Sequence, residues 1–388
     1  MIDLLELKSR PIYKYLKYLT LGQAAAFQGY NALYVNFAVE VARLNGQENG
    51  IVQSFKEAPG LLSIGVVFLL FFLRETTLTS LAILICGVGV AVMGWFPSFY
   101  GIIILTLVMS FGFHYFESVN QSLTLQYFKL IEAPLIISRL RAFTALGSLS
   151  MGLMILILAG LDFRILFGLA GSLAIMAAIW SFFNRPTPAN LPPQKRGLVF
   201  RKRYWLFYVL TGLSGARRQI FSVFAIFLLV EHFKFSLTQI SLLFLFNNLI
   251  NWFLNPYIGL AINKVGEKNL LLCKYTGVLC ICVSYIFCNN AILAAILYIL
   301  DQLSFCFTVS IRTFFQKIAA PEDIAPSMAM GGTFNHIVAV IVPFLGGTLW
   351  LYDRRLPFAM GVLFALGSLI MAFFIRSPIG QKAATENT

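Results

Sequence analysis

The chain has 388 residues, 59% of them hydrophobic and 12% charged, with a mean hydropathy of +0.81. Soluble domains carry about 45–50% apolar and about 25% charged residues, so this composition excludes a soluble globular domain and implies a polytopic membrane protein. The net charge of +13 does not point to nucleic acid, because the basic residues sit in short loops between apolar runs, as the positive-inside pattern requires.

Taken in order, twelve apolar stretches are long enough to span a bilayer, roughly 18–41, 51–73, 77–96, 100–127, 140–160, 164–183, 204–230, 238–261, 269–288, 291–315, 328–351 and 356–375. The expected fold is all-α and integral to the membrane. With the N-terminus inside, cytoplasmic segments hold 19 Lys and Arg and outer segments 5, which places both termini in the cytoplasm. Met1 to Lys17 is charged and amphipathic, unlike a cleavable signal peptide. The polar, proline-bearing connection 184–203 divides the spans six and six, giving an N-terminal bundle over 1–183 and a C-terminal bundle over 204–388. The halves echo one another: Ser122 to Lys129 ends span four much as Ser310 to Lys317 ends span ten.

Polar residues concentrate in four spans. Span one carries Gln28 and Asn31, three apart and on one face, with Gln23, Asn36 and Glu40 nearby. Span four carries His114, Glu117 and Gln121 as a stripe. Span seven carries Arg217 and Arg218 near its midpoint, where each charge costs about 2.5–3.5 kcal/mol to insert. Span ten carries Asp301 and Arg312. A polar cavity bounded by these four helices accounts for the pattern; ion pairs and hydrogen bonds between helices are the competing account. Adjacent residues on a helix point about 100° apart, so one arginine of the pair is expected to face a cavity.

Elsewhere, span eight holds a ladder of Asn247, Asn251 and Asn255, read as interhelical hydrogen bonding with ligand contact as the alternative. Lys56 and Glu57 in span two each need a separate partner. Lys274 lies close enough to the cytoplasmic end of span nine for snorkelling to explain it. Arg139 and Arg141 open span five, where flanking charge explains them and a gate with Glu322 or Asp323 is the alternative. The six cysteines, including Cys280-x-Cys282, lack zinc or redox spacing, and no metal or cofactor is expected.

After span eight the chain reads Gly259-Leu-Ala-Ile-Asn263-Lys264-Val-Gly266-Glu267-Lys268. This resembles the G-x-x-x-D-R-x-G-R-R signature of the major facilitator superfamily, with Asn in place of Asp. Span eleven adds Pro343-Phe-Leu-Gly346-Gly347, similar to the family's G-P-x-x-G-G bend. The six-loop-six layout resembles a bacterial branch of the family over essentially the whole chain. The loop 73–77 lacks the first signature, and span five has Gly147 and Gly152 without the bend, so neither symmetric gates nor antiport follow. The resemblance implies two six-helix bundles, a cavity lined by spans one, four, seven and ten, and gating at Gly259, Asn263, Lys264 and Gly266.

The expected function is secondary active transport of a small anionic or zwitterionic solute by alternating access, by symport or antiport. Arg217, Arg218, Gln28, Asn31, Gln121, Asn247 and Asn251 are the candidate solute contacts. Glu117, Asp301 and His114 are the candidate proton-coupling groups. Efflux of amphipathic or cationic compounds and a non-transporting receptor on the same fold are the alternatives. An enzyme is not expected, since His114, Glu117 and Gln121 lack a second cluster to complete a catalytic site. The expected setting is a monomer in the bacterial inner membrane, with the lipid bilayer, a small solute and protons as its partners.

Overall fold

The computed structural model describes residues 6, 9–62, 65–128, 132–186 and 200–375; side chains at 67, 125, 133–135, 138, 251–260, 263, 321, 322, 324–326 and 329 are outside the description. Helices account for nearly all of it, and no strand occurs among the described residues. In chain order they are α1 (Pro11–Asn36), α2 (Gly46–Leu61), α3 (Gly65–Leu69), α4 (Glu75–Ala91), α5 (Phe99–Tyr127), α6 (Ala133–Ile157), α7 (Phe163–Phe183), α8 (Trp205–Gln219), α9 (Ile226–Glu231), α10 (Leu237–Val265), α11 (Glu267–Ile286), α12 (Ala291–Cys306), α13 (Val309–Ile318), α14 (Pro321–Trp350) and α15 (Leu356–Phe373). Wider π turns run over Phe37–Val41, after α1, and Ile220–Ala225, joining α8 to α9.

Among the described residues, nine helical stretches are long and apolar enough to cross a membrane, and 237–250 forms a shorter apolar helix. The chain is a multi-pass membrane protein. Of the remaining two stretches, α1 has its hydropathy diluted by polar residues, and α2 and α3 are 16 and 5 residues long.

The chain divides into two compact units. The first comprises Met1–Leu44, Phe55–Gln194 and Phe235–Leu245; the second comprises Asn45–Ser54, Lys195–Lys234 and Phe246–Thr388. Most of the expected connection 184–203 lies outside the described residues.

In the first unit, α4 packs on α5 and α7, and α1 packs on α6 and α7. Apolar attraction alone cannot drive association in lipid, so these contacts depend on small residues and interhelical hydrogen bonds. The α4–α7 approach places Gly87 against Gly171, where an added Cβ would come within 2.3 Å of a backbone carbonyl. At the N-terminal end of α1, the Tyr15 hydroxyl donates to the Thr76 carbonyl at 2.6 Å and lies 2.9 Å from Ser80 Oγ. Ser181 of α7 donates to the same Ser80 oxygen at 2.7 Å, so three helices share one buried hydroxyl.

In the second unit, α8 packs on α14 and α15, and α11 on α15. Its core holds Tyr204, Phe207, Tyr208, Leu271, Tyr275, Phe314 and Phe315, with Phe207 stacked on Phe315 at 4.0 Å. The N-terminus of α2 packs on α14: a Cβ at Gly50 would lie 2.3 Å from the Pro343 carbonyl, so a residue without a side chain is required there.

Two helices begin before their apolar stretches do. α1 begins at Pro11 and α14 at Pro321, against expected starts of 18 and 328, because amphipathic turns continue a helix past the point where hydropathy falls. Span ten is interrupted: α12 ends at Cys306 and α13 resumes at Val309. Gly266 separates α10 from α11 at φ +82°, a left-handed conformation that glycine adopts without strain, so the glycine of the expected signature has a backbone role.

Candidate functional site

The polar residues of the second unit gather around Arg217. Its guanidinium is fully enclosed, and Nη1 donates to the Asp301 carboxylate of α12, which is itself only 3% exposed. Nε and Nη2 of Arg217 have no hydrogen-bond partner among the described residues, and the buried Tyr275 hydroxyl has none either. Lys274 of α11 is also buried, and its ammonium donates to Thr308 Oγ1 at 2.9 Å. Thr308 stands at the break between α12 and α13. Asp301 lies in the field of both Arg217 and Lys274, so one carboxylate faces two buried basic side chains. Lys274 therefore does not snorkel to the surface. It stands seven residues into α11, about 10 Å along the helix, a depth that could have marked it as buried.

Arg218, the other member of the pair, turns away from Asp301. It is half-buried, its Nη2 donates to Asn335 Oδ1 of α14 at 3.3 Å, and its Nε has no partner among the described residues. Gly215 lets this contact form, because a Cβ there would come within 2.6 Å of the Asn335 amide. Asp301 thus faces two buried basic side chains, Arg217 and Lys274, while Arg218 stands beside a neutral amide. Arg312 is exposed on α13.

In the first unit, Phe27 stacks on Phe113 at 4.1 Å and the Tyr30 hydroxyl lies 3.2 Å from Thr106 Oγ1, so α1 and α5 are neighbours. Gln28 and Asn31 are half-buried on α1, and His114 is half-buried on α5. A ring nitrogen of His114 lies within 4.8 Å of a Glu57 carboxylate oxygen. Glu117 and Gln121, further along α5, are exposed, and Glu117 makes no ion pair among the described residues. Arg141 of α6 acts on Glu117 electrostatically.

Asn247 is buried on α10, in the second unit, with its amide oxygen unpartnered among the described residues. Asn251, Asn255, Gly259 and Asn263 fall among the side chains outside the description, whereas Lys264 is exposed. Next to the signature, Glu267 is buried and pairs with Lys317 at 2.6 Å. Asp323, near the start of α14, accepts from Arg201 Nε at 3.3 Å, from Arg203 and from the Tyr204 hydroxyl at 3.0 Å. These bonds to its charged form, Arg203's foremost, hold the Asp323 carboxyl below its ordinary value.

The sequence matches the profile of the Major Facilitator Superfamily over residues 58–343, most of its length. The chain belongs to that superfamily. Among solved structures it is similar to a single-residue variant of the nucleoside transporter NupG (TM-score 0.77, 14% identity, 94% of this chain and 100% of the other covered). It is also similar to an auto-inhibited peptide transporter of the POT family (TM-score 0.75, 14% identity, 94% and 97% covered). A third similarity is to a bacterial homologue of the human lysosomal transporter Spinster (TM-score 0.73, 12% identity, 94% and 96% covered). At these identities the similarity establishes the fold. No curated protein sequence matches the chain. Family and fold are those of membrane transporters rather than enzymes.

Proposed function

We propose that the chain is a secondary active transporter that moves a small anionic or zwitterionic solute by alternating access, with Arg218 as the anchor for the solute's anionic group. The observation that carries this reading is a half-buried arginine in an apolar span with no carboxylate beside it among the described residues. Arg217 is neutralised by Asp301, but among the described residues Arg218 has a neutral amide as its one hydrogen-bond partner and keeps its Nε–H unpartnered. A guanidinium in a site poor in water is completed by a carboxylate or phosphate, which it binds in bidentate fashion.

Thermal melting of the purified protein tests this. A ligand that binds the folded form raises the melting temperature by mass action, by about 2.7 kcal/mol of stability at a hundredfold excess over Kd. Small carboxylates, phosphates, amino acids, sugars and cationic drugs form the panel. An anionic or zwitterionic compound should stabilise the wild type and fail to stabilise Arg218→Gln. Stabilisation by cationic or neutral compounds alone, or an equal shift in the variant, overturns the assignment.

The movement is coupled to protons through Glu117. This carboxylate stands in the middle of α5, is exposed and carries no ion pair among the described residues, so it is placed to gain and lose a proton without breaking a structural bridge.

A further inference from the structure

The first unit carries a groove on its surface that the transport reading does not use. It lies between α1, α6 and α7 and encloses about 800 Å³. Gly22, Gly147 and Ala177 form a floor without projecting side chains, and the packing there is close: a Cβ on Gly22 would fall 2.7 Å from that of Ala177. The walls include Met154 and Met176, flexible and polarizable side chains that adapt to an irregular apolar guest. The outer rim is open, with Leu146 54% and Met176 55% exposed.

The polarity of the groove is concentrated at one end. Lys14, Tyr18, Trp180 and Asn184 line it where α1 begins and α7 finishes, and Lys14 is exposed. Tyr18 and Trp180 meet edge to face at 4.7 Å, the kind of amphipathic aromatic pair found at headgroup level. From Lys14 to Ala25, and equally from Asn184 at the end of α7 back to Leu173, the lining spans eleven helical rises, about 17 Å. Half of a hydrocarbon layer about 30 Å thick is about 15 Å. The groove is therefore one leaflet deep, with a cation and a hydrogen-bonding amide at its mouth and apolar walls below.

We propose that this groove is a binding site for an anionic phospholipid of the leaflet at the N-terminal end of α1. One acyl chain lies along the floor, and the headgroup phosphate sits against the Lys14 ammonium and the second N–H of the Asn184 amide, whose nitrogen already donates to the Trp180 carbonyl at 2.9 Å. By the distribution of Lys and Arg this is the cytoplasmic leaflet, where anionic lipids attract basic side chains. Charge complementarity selects the headgroup, and depth and apolar lining select the chain. A free phosphate ion would satisfy the mouth alone and leave the groove empty.

The test is lipid titration of the full-length protein in detergent, read as melting temperature. The probes are phosphatidylglycerol, phosphatidylcholine with the same acyl chains, and glycerol phosphate. Phosphatidylglycerol should stabilise the wild type at lower concentration than phosphatidylcholine, and glycerol phosphate should do nothing. Lys14→Gln should raise the half-maximal phosphatidylglycerol concentration about fivefold, the worth of one cation near an anionic headgroup. Lys202→Gln, at another exposed lysine outside the groove, should leave it unchanged. Ser150→Trp, which fills the groove from its rim, should abolish the preference between the two lipids. Equal stabilisation by both lipids, equal effects of the two lysine variants, or a shift produced by glycerol phosphate alone overturns the proposal.

Discussion

Replacing Asp301 by Asn should be among the most damaging single changes in the second unit, and more damaging than removing Arg217. Asp301 and Arg217 are 3% and 0% exposed, so neither charge can recover hydration when the other is lost. Breaking a buried pair by removing one partner costs about 3–5 kcal/mol, because the remaining charge is left uncompensated. Asp301→Asn leaves Arg217, which cannot give up its proton, uncompensated, takes the carboxylate from Lys274 as well, and belongs at the upper end of that range. Arg217→Met leaves the carboxylate with Lys274 still acting on it, and belongs at or below the lower end. For a unit of about 150–250 residues each kcal/mol shifts the midpoint by about 2–4 °C, which puts Asp301→Asn about 10–20 °C below wild type. The assay is thermal melting in detergent of both single variants and of the double variant Arg217→Met with Asp301→Asn, whose double-mutant cycle should show recovery relative to the sum of the singles. Equal losses from the two single changes, or additive losses in the cycle, would refute the shared-carboxylate reasoning.

Three other outcomes are expected. Glu117→Gln should leave solute binding intact while removing the response of transport to a pH gradient in liposomes; an unchanged response clears Glu117 of coupling. Gly50→Ala forces a Cβ to 2.3 Å from the Pro343 carbonyl and should cost about 1–3 kcal/mol as overpacking, seen as a lower melting midpoint than that of Gly160→Ala, whose Cβ meets nothing within 4 Å. Asp323 has its acidity strengthened by Arg203, Tyr204 and Arg201, so its folded value lies below its unfolded one. Its stabilising contribution is complete above the unfolded value, about 3.9, and is lost as pH falls through the folded value. Asp323→Asn should therefore melt below wild type at pH 7 and approach it in strong acid, and a constant difference across that range would contradict the assignment.

Much of the architecture can be read from hydropathy. The apolar runs depend on composition over windows of about twenty residues, a scale at which single contacts do not matter. The burial of charge was legible too: Arg217 and Asp301 stand out because a charge in an apolar span is rare. Their pairing was not legible, since periodicity tells which side of a helix a residue occupies and not which helix lies opposite. Lys274 shows the same limit. From sequence it is a lysine near a helix end, and its enclosure comes from Thr308, exposed to it by an interruption of span ten that no proline or glycine announces. The close approach of Gly215 to Asn335 separates the fates of Arg217 and Arg218, and that too depends on which helix packs where.

The π turn over Ile220–Ala225 gives the seventh span something like a reading frame. Widening one turn by a residue displaces everything beyond it by about 100° around the axis. The part of the span before the turn is thereby set for Arg217 to meet Asp301, while Phe224, within the turn, and Phe227, beyond it, meet Trp350 at 5.9 and 5.2 Å. Deleting any one residue between 220 and 225 would regularise the helix and put the two halves out of phase, whatever residue was lost. A point substitution in this stretch tests one side chain; a deletion tests every contact on one half of the span at once. Related sequences should accordingly vary here by exchange of residues and not by change of length.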